Sequence, residues 1–268
     1  MPHLTDANWV TLPRVLQGRY FVRRMTVENV NLLLEIRHQV LSELSHPDLY
    51  VMEDNELEFV REHCGTRGET IGLFEGQGDH ARLIAYAMVG FPLADDADNL
   101  GVTVGLQRNE LEKVGILASC MVLPSHRGHG LQQQLLLLRQ LLCVSHGRNH
   151  CLSMISLHNR PSRFNLFRAG MLIRWVGVLD HYGLQRQVVY CNQDNPIIFD
   201  ESQLRVVDEL DFATQSVLAT EGWWGIREKV GKKREALIEF ARPLNIQGSQ
   251  AAEIRPVTLP ATTTFPLR

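Results

Sequence analysis

Two hydrophobic periods alternate along this chain, one of about two residues and one of about 3.6, and their alternation predicts its elements. Residues 20–25 (YFVRRM) read as a short strand. Thr26 follows as an N-cap, with Glu28 in the first turn, where the helix dipole favours a carboxylate. Leu32, Leu33, Ile36, Val40 and Leu44 then recur on one face, which predicts a helix to about Leu44. A second short helix is expected over 55–63, behind Asp54. The run ETIGLFE, the turn GQGDH and the run ARLIAYAMVGFP form a hairpin signal. In its second arm Leu83, Ala85, Ala87 and Val89 alternate with Ile84, Tyr86 and Met88, so both faces are apolar and the strand is expected to be central.

Residues 94–109 are polar and irregular, and they lead to 112–123 (EKVGILASCMVL), whose small and apolar residues suit a buried strand ended by Pro124. After Gly130, Leu131, Leu135, Leu138 and Leu142 share one stripe, with Leu136 and Leu141 beside it, so a helix with a core-facing side is expected. Residues 151–157 (CLSMISL) read as a strand, and 158–170 as a turn and short helix with Pro161 at its start and Gly170 at its end. A second hairpin is expected from 171–178 and 185–191 around DHYG. Beyond Asn195 the pattern predicts a helix over 206–218, a turn at Gly222–Gly225 and a strand over 234–241. That last strand either completes its own sheet or adds to a neighbour's exposed edge. The tail from Leu244 has too little apolar periodicity to pack by itself. Strands and helices alternate through the middle, which is the signature of an α/β fold.

Composition narrows the function. The 268 residues are 44% hydrophobic and carry a net charge of −3, with basic residues scattered except at Lys232, Lys233 and Arg234, so no nucleic-acid partner is expected. No apolar run approaches the roughly 20 residues of a bilayer span, and the first residues (MPHLTDANWV) lack a signal-peptide pattern. A cytoplasmic protein without membrane partners is the expectation. Cys64, Cys120, Cys143, Cys151 and Cys191 are dispersed with no CxxC pair, which predicts reduced thiols rather than disulfides or a zinc knuckle.

The chemistry concentrates at 122–142, VLPSHRGHGLQQQLLLLRQLL. A strand that stops at a proline, passes through Arg-Gly-His-Gly and opens a helix exposes main-chain N–H groups at a positive helix end. Two glycines let the backbone approach a ligand closely, and the combination suits a diphosphate. The bland alternative is a tight strand-to-helix turn. Neither GxxxxGK[ST] nor GxGxxG with a later acidic residue is present.

This stretch resembles the GNAT superfamily of acyl-CoA-dependent N-acyltransferases, whose V-x-P-x-x-R-G-x-G is matched by Val122, Pro124, Arg127, Gly128 and Gly130, followed by Leu131. One position departs, since Gln132 stands where the family has a small residue. A second family element, N-x-x-S before an aliphatic helix, is matched by Asn159, Ser162, Gly170 and Met171. The resemblance covers 19–193 and implies a mixed, mostly antiparallel central sheet flanked by helices. A lead segment (1–18), a small C-terminal appendage (194–243) and a tail (244–268) would lie outside it.

The resemblance implies acetyl-CoA or another acyl-CoA as co-substrate, held by Met121, Val122, Arg127, Gly128, His129, Gly130, Leu131, Gln132, Asn159 and Ser162. The central strand would carry a bulge and splay from the strand at 153–157 to admit the pantetheine arm, with main-chain N–H near Val122 polarising the thioester carbonyl. A small-molecule or peptide amine would attack directly, and since an amine is mostly protonated at neutral pH a base is needed. Glu112 and Glu110 are the base candidates. The family's thiolate-protonating tyrosine aligns with Leu166, so His158, Tyr182 and Tyr190 are candidates for that role. Cys120 is read as a buried inert thiol, with a nucleophilic role as the alternative. His126 and His129, and the run HGRNHC at 146–151, match no zinc spacing, and no metal is expected. Trp223 and Trp224 either line a pocket or dock the appendage, and the family habit implies a homodimer. Two alternatives accompany this reading: a longer acyl chain from CoA or an acyl carrier protein, and a non-catalytic acyl-CoA-binding regulatory module.

Overall fold

The computed structural model describes residues 19–76, 78–179 and 183–244. The lead segment, the tail beyond Leu244 and Tyr182 lie outside these residues. The chain forms two compact units that alternate along the sequence: one runs up to Phe91 and resumes over Ile116–Gly147, the other comprises Pro92–Gly115 and the chain from Arg148 onward.

In the first unit the strands β1 (Tyr20–Met25), β2 (Gly68–Glu75), β3 (Arg82–Gly90) and β4 (Val114–Val122, from Ile116 onward) lie in that order, each antiparallel to the next. Every residue of β3 from Leu83 to Gly90 is buried, as its two apolar faces predict. Helices α1 (Val30–Ser42) and α5 (Leu131–Ser145) both pack against it. Thr26 opens the first helical segment through a capping arrangement in which its N–H donates to Asn29 Oδ1 at 3.0 Å, and Asn55 caps α2 (Glu56–Arg61) by accepting from Glu58 N–H at 3.1 Å. In α5 the predicted stripe Leu131, Leu135, Leu138 and Leu142 is buried along with Leu136, while Leu141 is exposed.

In the second unit β5 (His150–Ser156), β7 (Leu184–Asn192), β6 (Leu172–Leu179), β9 (Trp224–Val230), β10 (Ala236–Pro243) and β8 (Phe199–Asp208) follow one another in space, again antiparallel. The short helical turns α3 (Leu100–Thr103) and α4 (Arg108–Leu111) precede β4, α6 (Arg160–Arg168) follows β5, and α7 (Phe212–Thr220) packs on β6.

Three expectations are corrected here. Residues 206–208 belong to a strand, not a helix: Val207 is buried while Val206 is 49% exposed, the alternation of a strand paired with β10, and the helix begins only where Asp211 accepts from Thr214 N–H at 3.1 Å. The strand read at 234–241 completes its own sheet, one of the two roles expected of it, because β10 pairs with β9 on one side and β8 on the other. Its inner partner β9 was hidden by the Gly-Trp-Trp-Gly signal: Gly222 alone makes the turn, at φ +86°, and Trp224 already begins the strand. Finally, 94–109 is less irregular than its polarity suggests, since α3 lies wholly within it and α4 begins there.

The appendage is fixed to α6 by a buried cation. Arg163 is fully buried; its Nε donates to Glu228 on β9 at 2.9 Å, its Nη1 to the Leu157 carbonyl at 2.8 Å, and its Nη2 to Glu209 just beyond β8. Removing one partner of a buried pair leaves the others uncompensated. Arg163→Met should therefore lower the unfolding free energy by about 3 kcal/mol, read as a shifted midpoint in urea denaturation.

Candidate functional site

β4 ends at Val122, and Leu123 N–H still donates to the Ile84 carbonyl on β3 at 3.0 Å. Neighbouring N–H groups of a strand point to opposite sides, so the Val122 N–H is directed away from β3. Pro124, Ser125 and His126 form a helical turn closed by His126 N–H to the Leu123 carbonyl at 2.8 Å and Arg127 N–H to the Pro124 carbonyl at 3.2 Å. His126 pegs this turn to the sheet, its Nε2 lying 3.2 Å from Glu75 Oε2. Hydrogen bonds from Arg19 and then His126 hold the Glu75 carboxyl below its usual range. His126 is thus a structural residue of the loop.

Gly128 and Gly130 follow with φ of +82° and +71°, a region that L side chains avoid, and Gly130 is the N-cap of α5. A Cβ on either would meet no atom within 4 Å, so the backbone there borders open space. The helix's first main-chain bond runs from Gln134 N–H to the Gly130 carbonyl at 3.2 Å, and an α-helix does not spend the N–H groups of its first turn on itself. Arg127, Gly128, His129 and Gly130 are exposed, while Leu131 is buried beneath them and Gln132 is half-buried in the first turn. An exposed loop bent by two glycines at a positive helix end can receive an anion.

Upstream, β4 carries the expected bulge. Ala87 faces Cys120 and Val89 faces Leu117, so three steps on β4 match two on β3. Ser119 sits at this irregularity, buried, with its Oγ 3.1 Å from the Tyr86 hydroxyl and accepting from Arg37 Nη1 at 3.3 Å. Arg37, fully buried on α1, also donates through Nε to Glu56, and its guanidinium lies 4.7 Å from the Tyr50 ring centre and 5.2 Å from that of Phe59. Burial pushes the Tyr50 hydroxyl up to about 12. Burial also works to raise Glu56, but hydrogen bonds from His38 and Arg37 hold it below the usual range. Periodicity gave no sign of Arg37, which follows Ile36 on the helix and reads as a solvated residue.

The remaining candidates fall in the second unit. Glu110 lies on α4 and Glu112 is its C-cap, so neither stands on the central strand as its polar lead-in suggested. Glu112 is exposed, as is His158, whose N–H donates to Ser156 Oγ at 3.1 Å. Asn159 caps α6, its Oδ1 accepting from Ser162 N–H at 3.2 Å. Leu166 is buried. Trp223 and Trp224 are buried too, and Trp224 packs edge-on against Tyr190 and Phe199.

One grouping was not foreseen. His150, buried at the start of β5, places Nδ1 2.9 Å from the Tyr190 hydroxyl and Nε2 3.9 Å from Glu110 Oε1. Two residues proposed separately for proton transfer are thus joined through a third, which the sequence offered only as part of a metal-like run. Burial lowers the His150 imidazole from its usual value and raises the Tyr190 phenol. Tyr190 also forms part of the wall of a cavity of about 460 Å3, with Leu172, Phe199 and Ile226.

No family model and no curated protein matches the chain. Among solved structures it is similar to an acetyltransferase of the GNAT family from Streptococcus pneumoniae (11% identity over 65% of this chain and 98% of that one, TM-score 0.47). It is also similar to an N-acetyltransferase from Staphylococcus aureus Mu50 (14%, 66% and 99%, TM-score 0.46) and to Arabidopsis thaliana NAA60, solved in complex with acetyl-CoA (13%, 66% and 99%, TM-score 0.46). Among the described residues no helix is long and apolar enough to cross a membrane.

A histidine whose pKa is lower folded than unfolded contributes stability above its unfolded value, near ~6.5, and loses it as pH falls through the folded value. The thermal midpoint should therefore drop between pH 7.5 and pH 5, and the drop should be smaller in His150→Gln when both are followed by circular dichroism.

Proposed function

We propose that this chain transfers an acyl group from an acyl-CoA to an amine. The observation that carries the reading is the continuous run from the bulged β4 through the two positive-φ glycines into α5, with open space over both glycines. On this reading the loop from Arg127 to Gln132 receives the pyrophosphate through main-chain N–H groups, and Arg127 adds a cation at the exposed rim. The Val122 N–H, directed away from β3, is the donor assigned to the thioester carbonyl. It would stabilise the oxyanion that forms when the amine attacks. Attack yields a tetrahedral intermediate, which expels the CoA thiolate and leaves an amide.

The attacking amine must first lose a proton. Within the second unit, Glu110, His150 and Tyr190 form a grouping suited to moving a proton, because burial lowers the His150 imidazole from its usual value and a carboxylate lies at its other nitrogen. Acetyl is the acyl group favoured by the likeness of the loop to acetyl-CoA-dependent enzymes. A second reading, an acyl-CoA-binding module without catalysis, is favoured by one residue: Leu166 is buried and apolar where the resemblance expects a tyrosine.

A thermal-shift titration with CoA and acetyl-CoA, run beside a thiol-release assay over an amine panel, tests the proposal. At 100 times its dissociation constant a ligand adds about 2.7 kcal/mol of stability. Acetyl-CoA should raise the midpoint of the wild type and free CoA should appear with at least one amine. Gly128→Val, which fills the open space at φ +82°, should abolish the shift while keeping a cooperative transition. Stabilisation without thiol release would select the second reading, and no shift at all would contradict both.

A further inference from the structure

Two buried arginines of this protein are matched to carboxylates: Arg37 has Glu56, and Arg163 has Glu209 and Glu228. Arg139 is not matched in this way. It lies in the middle of α5, is only 4% exposed, and among the described residues no carboxylate pairs with it. Its Nε is sealed from solvent without a hydrogen-bond partner. One helical turn away on either side stand Leu135 and Cys143, both fully buried, so its own helix offers it no acceptor. A guanidinium in such surroundings is costly unless an anion reaches it.

The position of this cation gives it a use. Arg139 follows Gly130 by nine residues, or about 13 Å of helix, a separation of the order spanned by a pantetheine arm. Its charge acts on Cys120, two residues before Val122 on β4, where burial raises the thiol and Arg139 opposes the rise. Arg37 supports β4 at Ser119, and the charge of Arg139 reaches the neighbouring Cys120.

We propose that Arg139 is a specificity residue that binds a carboxylate on one of the two substrates, either at the far end of the acyl group or on the acceptor. This rests on the acyl-CoA reading above. A carboxylate would give the guanidinium a charge-assisted, two-pronged partner that acetyl or a simple amine cannot supply.

The test compares wild type and Arg139→Met by thermal-shift titration. One arm uses succinyl-CoA against butyryl-CoA, which share a four-carbon chain; the other uses a panel of amino acids against the amines left when their α-carboxylates are removed, each with saturating CoA. In the wild type the carboxylate-bearing member of one arm should bind about tenfold more tightly. The arm that responds identifies the substrate concerned, and the preference should vanish in the variant while plain CoA binds both proteins equally. Arg139→Met without ligand should melt no lower than wild type, because it removes an unmatched buried cation. Equal binding within both arms, or a variant that melts several degrees lower, would overturn the assignment and leave the acyl-CoA reading standing. Failure of every CoA compound to bind would instead remove that reading.

Discussion

The bulge in β4 depends on a charge that water cannot reach. Arg37 sits at the centre of the first unit and its guanidinium is shared among Glu56, Tyr86 and Ser119, so one side chain ties α1, the start of α2, β3 and β4 together. A buried charge tolerates little displacement, because each lost hydrogen bond returns most of its desolvation cost. Ser119 is therefore held at the irregular step of β4, and the strand beyond it reaches Val122 with a fixed set of main-chain directions. The glycine loop inherits that geometry, since Leu123 is bonded to β3 and His126 to Glu75 before the chain turns into α5.

The second unit solves a different problem with the same means. Strands β8 to β10 extend its sheet through the contact of β9 with β6 at Ile173 and Gly225, and Arg163 gathers α6, β9 and the end of β8 around one guanidinium. The strands β8, β9 and β10 are thus built into the sheet of that unit, with Trp224 packed against Tyr190 and Phe199. The tryptophan pair does docking work, which was one of the two roles open to it from sequence.

What could be read from the sequence follows the physics of local signals. β1, the hairpin of β2 and β3, the stripe of α5 and the pair β6 and β7 were legible because apolar period and turn residues agree over those runs. The strand β8 was misread because FDESQLRVVD lies on an outer strand, where most side chains face water and only Val207 reports the alternation. The glycine loop was legible as a whole, since its strand stop, glycines and helix start are adjacent in sequence. Arg37, Arg139 and His150 were not: a charged residue on a helix or a strand looks solvated until tertiary packing buries it, and the partners of Arg37 and His150 lie as far as 82 and 40 residues away.

The central claim is that main-chain N–H groups from Gly128 through the first turn of α5 hold the pyrophosphate of a CoA compound. Amide resonances followed in a nitrogen-15 correlation spectrum during addition of CoA address it directly. The account predicts that the largest shifts fall on Gly128, His129, Gly130, Leu131 and Gln132, with slower amide exchange at the same residues. Binding that moves other amides and leaves these five unchanged would contradict it.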